Sequence, residues 1–300
     1  MPAPKPEWVR RSERGALPLI RFMAWFSLAA GRTVSRALLL AVTAYFYAFG
    51  GAARRATRAF LARCLGRAPS LAEQFRTFFR FAATIHDRLY FLKDRFDLFQ
   101  IDVHGREIFE SPGGALLMGA HLGSFEVMRA CGRAVIHRRV AMAMYGAHAQ
   151  KLNRVLEAVA PGTTRDIVSL GEVGSMLSLQ QRLEEGALVG VLADRTFGGE
   201  ATIPMAFMGA EAAFPIGPMR MAAALRQEVV FMAGLYCGGN RYELHFERIA
   251  DFRDLEGLTR AERDARVRTA IATYAARLEH HARCAPHNWF NFFDFWGGRG

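Results

Sequence analysis

The chain has 300 residues, 51% of them hydrophobic and 22% charged, with a net charge of +11. That composition excludes a disordered tail, a collagen-like or mucin-like repeat and an acidic solvating segment. Its mean hydropathy of +0.05 is too low for a polytopic membrane protein. Cys64, Cys131, Cys237 and Cys284 are far apart and form no CxxC pair, so neither a disulfide scaffold nor a zinc ribbon is expected.

The first elements carry most of the charge. Residues 1–58 hold ten basic groups, Lys5 and nine arginines, against only Glu7 and Glu13. Among the arginines lie two apolar stretches, Leu17 to Ala30, apolar apart from Arg21, and the charge-free run Ala37 to Ala53. Aromatic, apolar sequence flanked by arginine suits a lipid interface with anionic headgroups. The run at 37–53 falls near the lower length limit of a membrane span, about 20 residues, so spanning and lying on the surface both stay open. The stretch starts too late, and is too arginine-flanked, for a secretory signal. Nucleic acid is not an expected partner, because no helix-turn-helix, zinc finger or RNP-like motif follows.

Residues 69–99 show a helical period through Phe75, Phe78, Ala82, Ile85 and Leu89. From Gly113 onward, short apolar runs alternate with helical patterns. Strands are predicted at Ala115–Met118, Val140–Tyr145, Ile167–Ser169 and Ala187–Leu192. Helices are predicted at Ser124–Arg133, Ala149–Val159, Glu172–Glu185 and Gly217–Arg226. A hairpin joins Val229–Tyr236 to Tyr242–Ile249 through Gly-Gly-Asn-Arg, and a last helix covers about 260–284. This alternation predicts an α/β fold with a mostly parallel central sheet flanked by helices. An N-terminal hydrophobic helical region, residues 1–60, is expected to associate with the membrane, and residues 61–300 are expected to form one domain.

The chemistry concentrates in Leu116-Leu117-Met118-Gly119-Ala120-His121-Leu122-Gly123-Ser124-Phe125-Glu126. A buried strand runs into a tight loop that ends near a helix start, with Ser124 as a candidate N-cap. Ligand sites of α/β sheets form at the carboxyl ends of strands, which puts His121 within reach of a substrate. A carboxylate on one imidazole nitrogen fixes the tautomer and raises the basicity of the other. Glu126 is the local candidate for that carboxylate. The glycines Gly119 and Gly123 permit tight turns and let backbone amides approach a substrate oxygen. His280, His281, Cys284 and His287 cluster in sequence without metal-ligand spacing, and no metal is expected.

The segment ALLMGAHLGSFE resembles the HxxxxD/E block of the lysophospholipid-acyltransferase-like superfamily, and is closest to the late acyltransferases of lipid A biosynthesis. Leu192-Ala193-Asp194-Arg195, Pro204 to Pro218, Gly239 to Leu244 and Asn288-Trp289-Phe290 resemble further blocks of that family, in the same order. Together they cover most of residues 10–296. The stretch Tyr145 to Asn153 and the ending HNWFNFFDFW depart from the lipid A enzymes, and resemble acyltransferases of aryl-polyene-type pigment clusters. The acceptor therefore stays open between lipid A, a pigment lipid and another glycolipid.

The resemblance implies transfer of a fatty acyl group from acyl carrier protein, or from coenzyme A, to a lipid hydroxyl. It places the reaction at the cytoplasmic face of the inner membrane and calls for no cofactor. In that reading His121 is the base and Glu126 orients it. Asp194, Arg195, Asn153, Arg165 and Gly123 are candidates for binding substrate. No GxSxG elbow or paired Cys–His suggests an acyl-enzyme. A thioesterase on the same fold and a non-catalytic acyl-lipid carrier are the alternatives.

Overall fold

The structure, a computed structural model, describes residues 17–110, 113–134, 136–145, 167–172, 174–195 and 200–297. Three helices come first: α1 (Leu17–Ala30), α2 (Arg32–Phe49) and α3 (Gly51–Leu65). The long helix α4 (Leu71–Phe91) follows, started by a capping box in which Ser70 and Glu73 satisfy each other's backbone N–H groups. Nine strands are described: β1 (Gln100–His104), β2 (Ala115–Gly119), β3 (Val140–Tyr145), β4 (Ile167–Leu170), β5 (Leu188–Leu192), β6 (Thr202–Phe207), β7 (Ala210–Pro215), β8 (Glu228–Gly238) and β9 (Arg241–Asp251). The remaining α-helices among the described residues are α5 (Phe125–Ala134), α6 (Ser175–Glu184), α7 (Gly217–Ala224) and α8 (Arg260–Cys284).

Seven strands form one sheet in the order β1-β9-β8-β2-β5-β3-β4. β8, β2, β5, β3 and β4 are mutually parallel, and the hairpin reverses direction so that β9 and β1 run against them. The parallel α/β core expected from the alternation is therefore present. β2 lies between two neighbours and is buried at all five positions, which is why it reads as a continuous apolar run. Two features escape the alternating pattern. β1 is a short, half-exposed strand that follows the long helix after a short 3₁₀ turn at Phe96–Leu98, and β6 and β7 form a separate antiparallel pair. The region predicted as helix at 149–159 lies outside the described residues.

Among the described residues, no single helix is long and apolar enough to cross a membrane. The charge-free run 37–53 is not one helix: α2 and α3 meet at 93°. Gly50 sits at that break, where a Cβ would fall 2.4 Å from the carbonyl oxygen of Phe46. Helix α2 is amphipathic in an unusual sense. Its buried stripe is Ser35, Leu39 and Thr43, whereas Val34, Leu38, Leu40, Tyr45, Phe46 and Phe49 are exposed. Two of its arginines are committed internally. Arg32 and Arg36 hold the fully buried carboxylate of Asp87 at 2.7 and 2.6 Å, and Tyr242 donates to it at 2.8 Å. These bonds tie α2 to α4 and β9, so neither arginine is available to a lipid headgroup. Helix α3 is fixed in turn where Phe60 packs edge-to-face on Trp289, with centroids 4.7 Å apart.

Candidate active site

Register builds the site. β2 and β5 are adjacent and parallel, with Gly119 opposite Leu192. His121 and Asp194 each lie two residues past those partners, so both emerge together at the carboxyl end of the sheet. Asp194 Oδ1 is 2.8 Å from His121 Nδ1, and its Oδ2 accepts the His121 backbone N–H at 3.1 Å. Trp289 Nε1–H donates to the same Oδ2 at 3.3 Å. The Asp194 carboxylate is wholly buried, while the His121 side chain is 31% exposed. Burial pushes the Asp194 carboxyl upward, but the charge and hydrogen bond of His121 and the charge of Arg195 outweigh it. The result is a carboxyl held down at about 2, ionised throughout the physiological range.

The segment Asn288–Phe290 pins the histidine loop. Phe290 N–H donates to the His121 carbonyl at 2.7 Å, and Gly123 N–H donates to the Asn288 carbonyl at 2.8 Å. Ser124 N–H reaches the Gly234 carbonyl at 2.7 Å. Asn288 is anchored by its side-chain amide, which exchanges two hydrogen bonds with the Tyr236 backbone. Gly123 has φ 74°, and a Cβ there would fall 1.9 Å from the Gly234 oxygen, so only glycine fits this crossing. The expectation that the Gly123 amide approaches a substrate oxygen is corrected, because that N–H is already taken by Asn288.

The carboxylate bonded to His121 Nδ1 is therefore Asp194's. Glu126 lies in the first turn of α5, buried, with Arg88 Nη2 of α4 at 2.5 Å and Arg129 Nε at 3.1 Å. His121, Glu126, Arg88, Arg195 and Gly123 line a cavity of about 400 Å³, walled on its apolar side by Phe81, Ile85, Met142, Met144, Leu192, Phe290, Phe292 and Phe293. Glu126 borders the cavity directly, whereas Asp194 lies behind His121. Arg195 donates to the Phe290 carbonyl at 2.8 Å and lies over the Phe293 ring at 5.2 Å. Burial pulls its guanidinium down to about 10, against the opposing charge of Asp194, and it remains cationic at neutral pH. Asn153 and Arg165 lie outside the described residues.

Arg88, Arg129 and the pinning pair Asn288–Trp289 complete the site and were not among the expected residues. Arg129 had a local signal, three residues after Glu126 on one helix. Arg88 had none, since 38 positions and two strands separate it from its partner.

The profile of the family described as bacterial lipid A biosynthesis acyltransferase matches residues 9–296. The chain belongs to that family. Membership makes the chain an acyltransferase of lipid biosynthesis. Among solved structures, the acyltransferase chain shares 12% identity with the 1-acyl-sn-glycerophosphate (LPA) acyltransferase PlsC from Thermotoga maritima. That alignment covers 88% of this chain and 96% of the other, with a TM-score of 0.39. No curated protein matches the chain.

Proposed function

We propose that this acyltransferase moves a fatty acyl group from an acyl thioester, with acyl carrier protein as donor, to a hydroxyl of a lipid or glycolipid. The observation that carries this reading is a half-exposed imidazole, held on one nitrogen by a buried carboxylate, at the edge of an apolar cavity. With Nδ1–H on Asp194, the basic lone pair is on Nε2. As the acceptor oxygen attacks the thioester carbonyl, its proton passes to Nε2. The tetrahedral intermediate then expels the thiolate, which takes that proton from the imidazolium. Asp194 stabilises the transient positive charge without itself being protonated. The transfer is direct and needs no cofactor.

Glu126 acts in this reading by holding Arg88 and Arg129, so that cationic groups face the cavity without repelling one another. Arg195 and Arg88 are the candidate partners for an acceptor phosphate or for the developing oxyanion. Phe290, Phe292 and Phe293 provide an apolar wall for the acyl chain. The exposed Trp25, Val34, Leu38, Tyr45, Phe46 and Phe49 of α1 and α2 suit a lipid surface, which supports membrane association; the proposed location is the cytoplasmic face of the inner membrane.

The test is an acyl-transfer assay with labelled acyl carrier protein or acyl-coenzyme A and detergent-dispersed lipid acceptors. Acylated lipid formed by the wild type, and not by His121→Ala, supports the proposal. Free fatty acid released at one rate with and without acceptor would identify a thioesterase, and lipid binding without turnover would identify a carrier.

A further inference from the structure

The outer, reversed strand pair holds a donor cluster far from the cavity in the chain. β1 and β9 run parallel with His104 opposite His245, and Glu243 lies two residues earlier on the same face of β9. The two imidazoles stack with centroids 4.7 Å apart and planes 13° from parallel. Glu243 Oε2 is 3.5 Å from His245 Nε2. One ligand atom from each of the three residues lies within 4.8 Å of the other two.

A tetrahedral ion about 2.1 Å from each donor spaces its donors by about 3.4 Å. Glu243 and His245 already have that spacing, and a small rotation of the exposed His104 completes it. Glu247, next along the face, is engaged by Arg277 and His281 and is not needed as a ligand.

We propose that His104, Glu243 and His245 form a binding site for a borderline divalent transition-metal ion such as Zn²⁺, which clamps the edge strand β1 onto β9. Two imidazole nitrogens and one carboxylate favour such an ion over Mg²⁺ or Ca²⁺, which demand oxygen cages. Among the described residues β1 has a strand neighbour on one side only, so an ion shared across that pair resists its fraying. No step of acyl transfer depends on the site.

The test is calorimetric titration of the purified full-length protein with Zn²⁺, alongside thermal unfolding with Zn²⁺ and with EDTA. One equivalent is expected to bind and to raise Tm. His104→Gln and His245→Gln should each weaken binding by at least about tenfold, since even partners behind a ligand are worth that much. Absence of binding, or unchanged affinity in both variants, overturns the site. So does a cobalt–thiolate charge-transfer band on Co²⁺ substitution, which would assign the metal to cysteine. Copper electron paramagnetic resonance on the wild type counts the imidazoles independently of any variant's folding. Two coordinated nitrogens support the site and fewer overturn it.

Discussion

Two histidine–carboxylate pairs stand beside the same sheet, one past the ends of β2 and β5 and one between β9 and α8, and their hydrogen bonds are nearly the same length. His121–Asp194 spans 2.8 Å and His281–Glu247 spans 2.6 Å. What separates them is which partner is hidden. In the first pair the carboxylate is fully buried and the ring is 31% exposed, whereas in the second the ring is 5% exposed and the carboxylate 31%. His281 stacks on Phe231, with centroids 5.3 Å apart, and its carboxylate is shared with Arg277. A base needs an accessible nitrogen and an orienting charge that water cannot screen. Only the first pair meets both conditions, so length alone does not identify a catalytic dyad.

The largest effect expected from that contrast is on activity. His121→Ala should lower kcat by roughly 10³-fold, within the range of general-base catalysis, while circular dichroism and membrane partition stay as in the wild type. Full activity in this variant would remove the base. Asp194→Asn should cost roughly 10²-fold or more in kcat, because the amide no longer fixes the tautomer or stabilises the imidazolium. Little of that loss should appear in KM. A loss confined to KM would make Asp194 a binding group instead.

Glu126→Gln should have a smaller effect, about tenfold, read in KM as well as kcat. The variant leaves Arg88 and Arg129 less well neutralised beside the cavity, and it leaves the His121–Asp194 bonds in place. If Glu126→Gln instead abolished kcat while Asp194→Asn was mild, the orienting role would belong to Glu126. Comparing the two variants in one assay therefore decides between the carboxylate five residues along the chain and the one across the sheet.

That ambiguity shows which parts of the molecule were legible in the sequence. The β2–loop–α5 unit is written locally, as a continuous apolar run, two glycines and a histidine before a helix. Helix α8 is equally plain from its apolar stripe of Val267, Ile271, Tyr274 and Leu278, and the structure adds the Thr259–Glu262 capping box that starts it. The partner of His121 is not local. Asp194 lies 73 residues away and meets the ring only because β2 and β5 are neighbours in register, a fact no spacing rule contains. Spacing selected Glu126, but the helix start at Phe125 gives that side chain to two arginines. The basic N-terminus was similarly half legible. Its arginines were visible as charge, but the pairing of Arg32 and Arg36 with Asp87 depends on helix packing. β1 was hidden because only five half-exposed residues follow the turn after a long helix.

The smallest effect on activity is expected at the second pair, and acid separates the pairs a second time. His281→Gln should leave kcat within about twofold of wild type and lower stability by about 1–2 kcal/mol, the cost of a lost buried hydrogen bond. Burial, helped by His245 and Arg277, holds the His281 ring below its ordinary range and outweighs Glu247. The unfolded chain then takes up the proton first, so this pair's stability is present above about pH 6.5 and is lost as pH falls below it. Asp194 acts later. Its depressed carboxyl contributes about 2 kcal/mol that is present above about pH 4 and lost as pH falls toward 2. Urea denaturation from pH 7 to pH 3 should therefore show a shallower decline for His281→Gln between pH 6.5 and 5, and for Asp194→Asn only below about pH 4. If the two variants changed the same limb, the pairs would not be the opposites that their burial makes them.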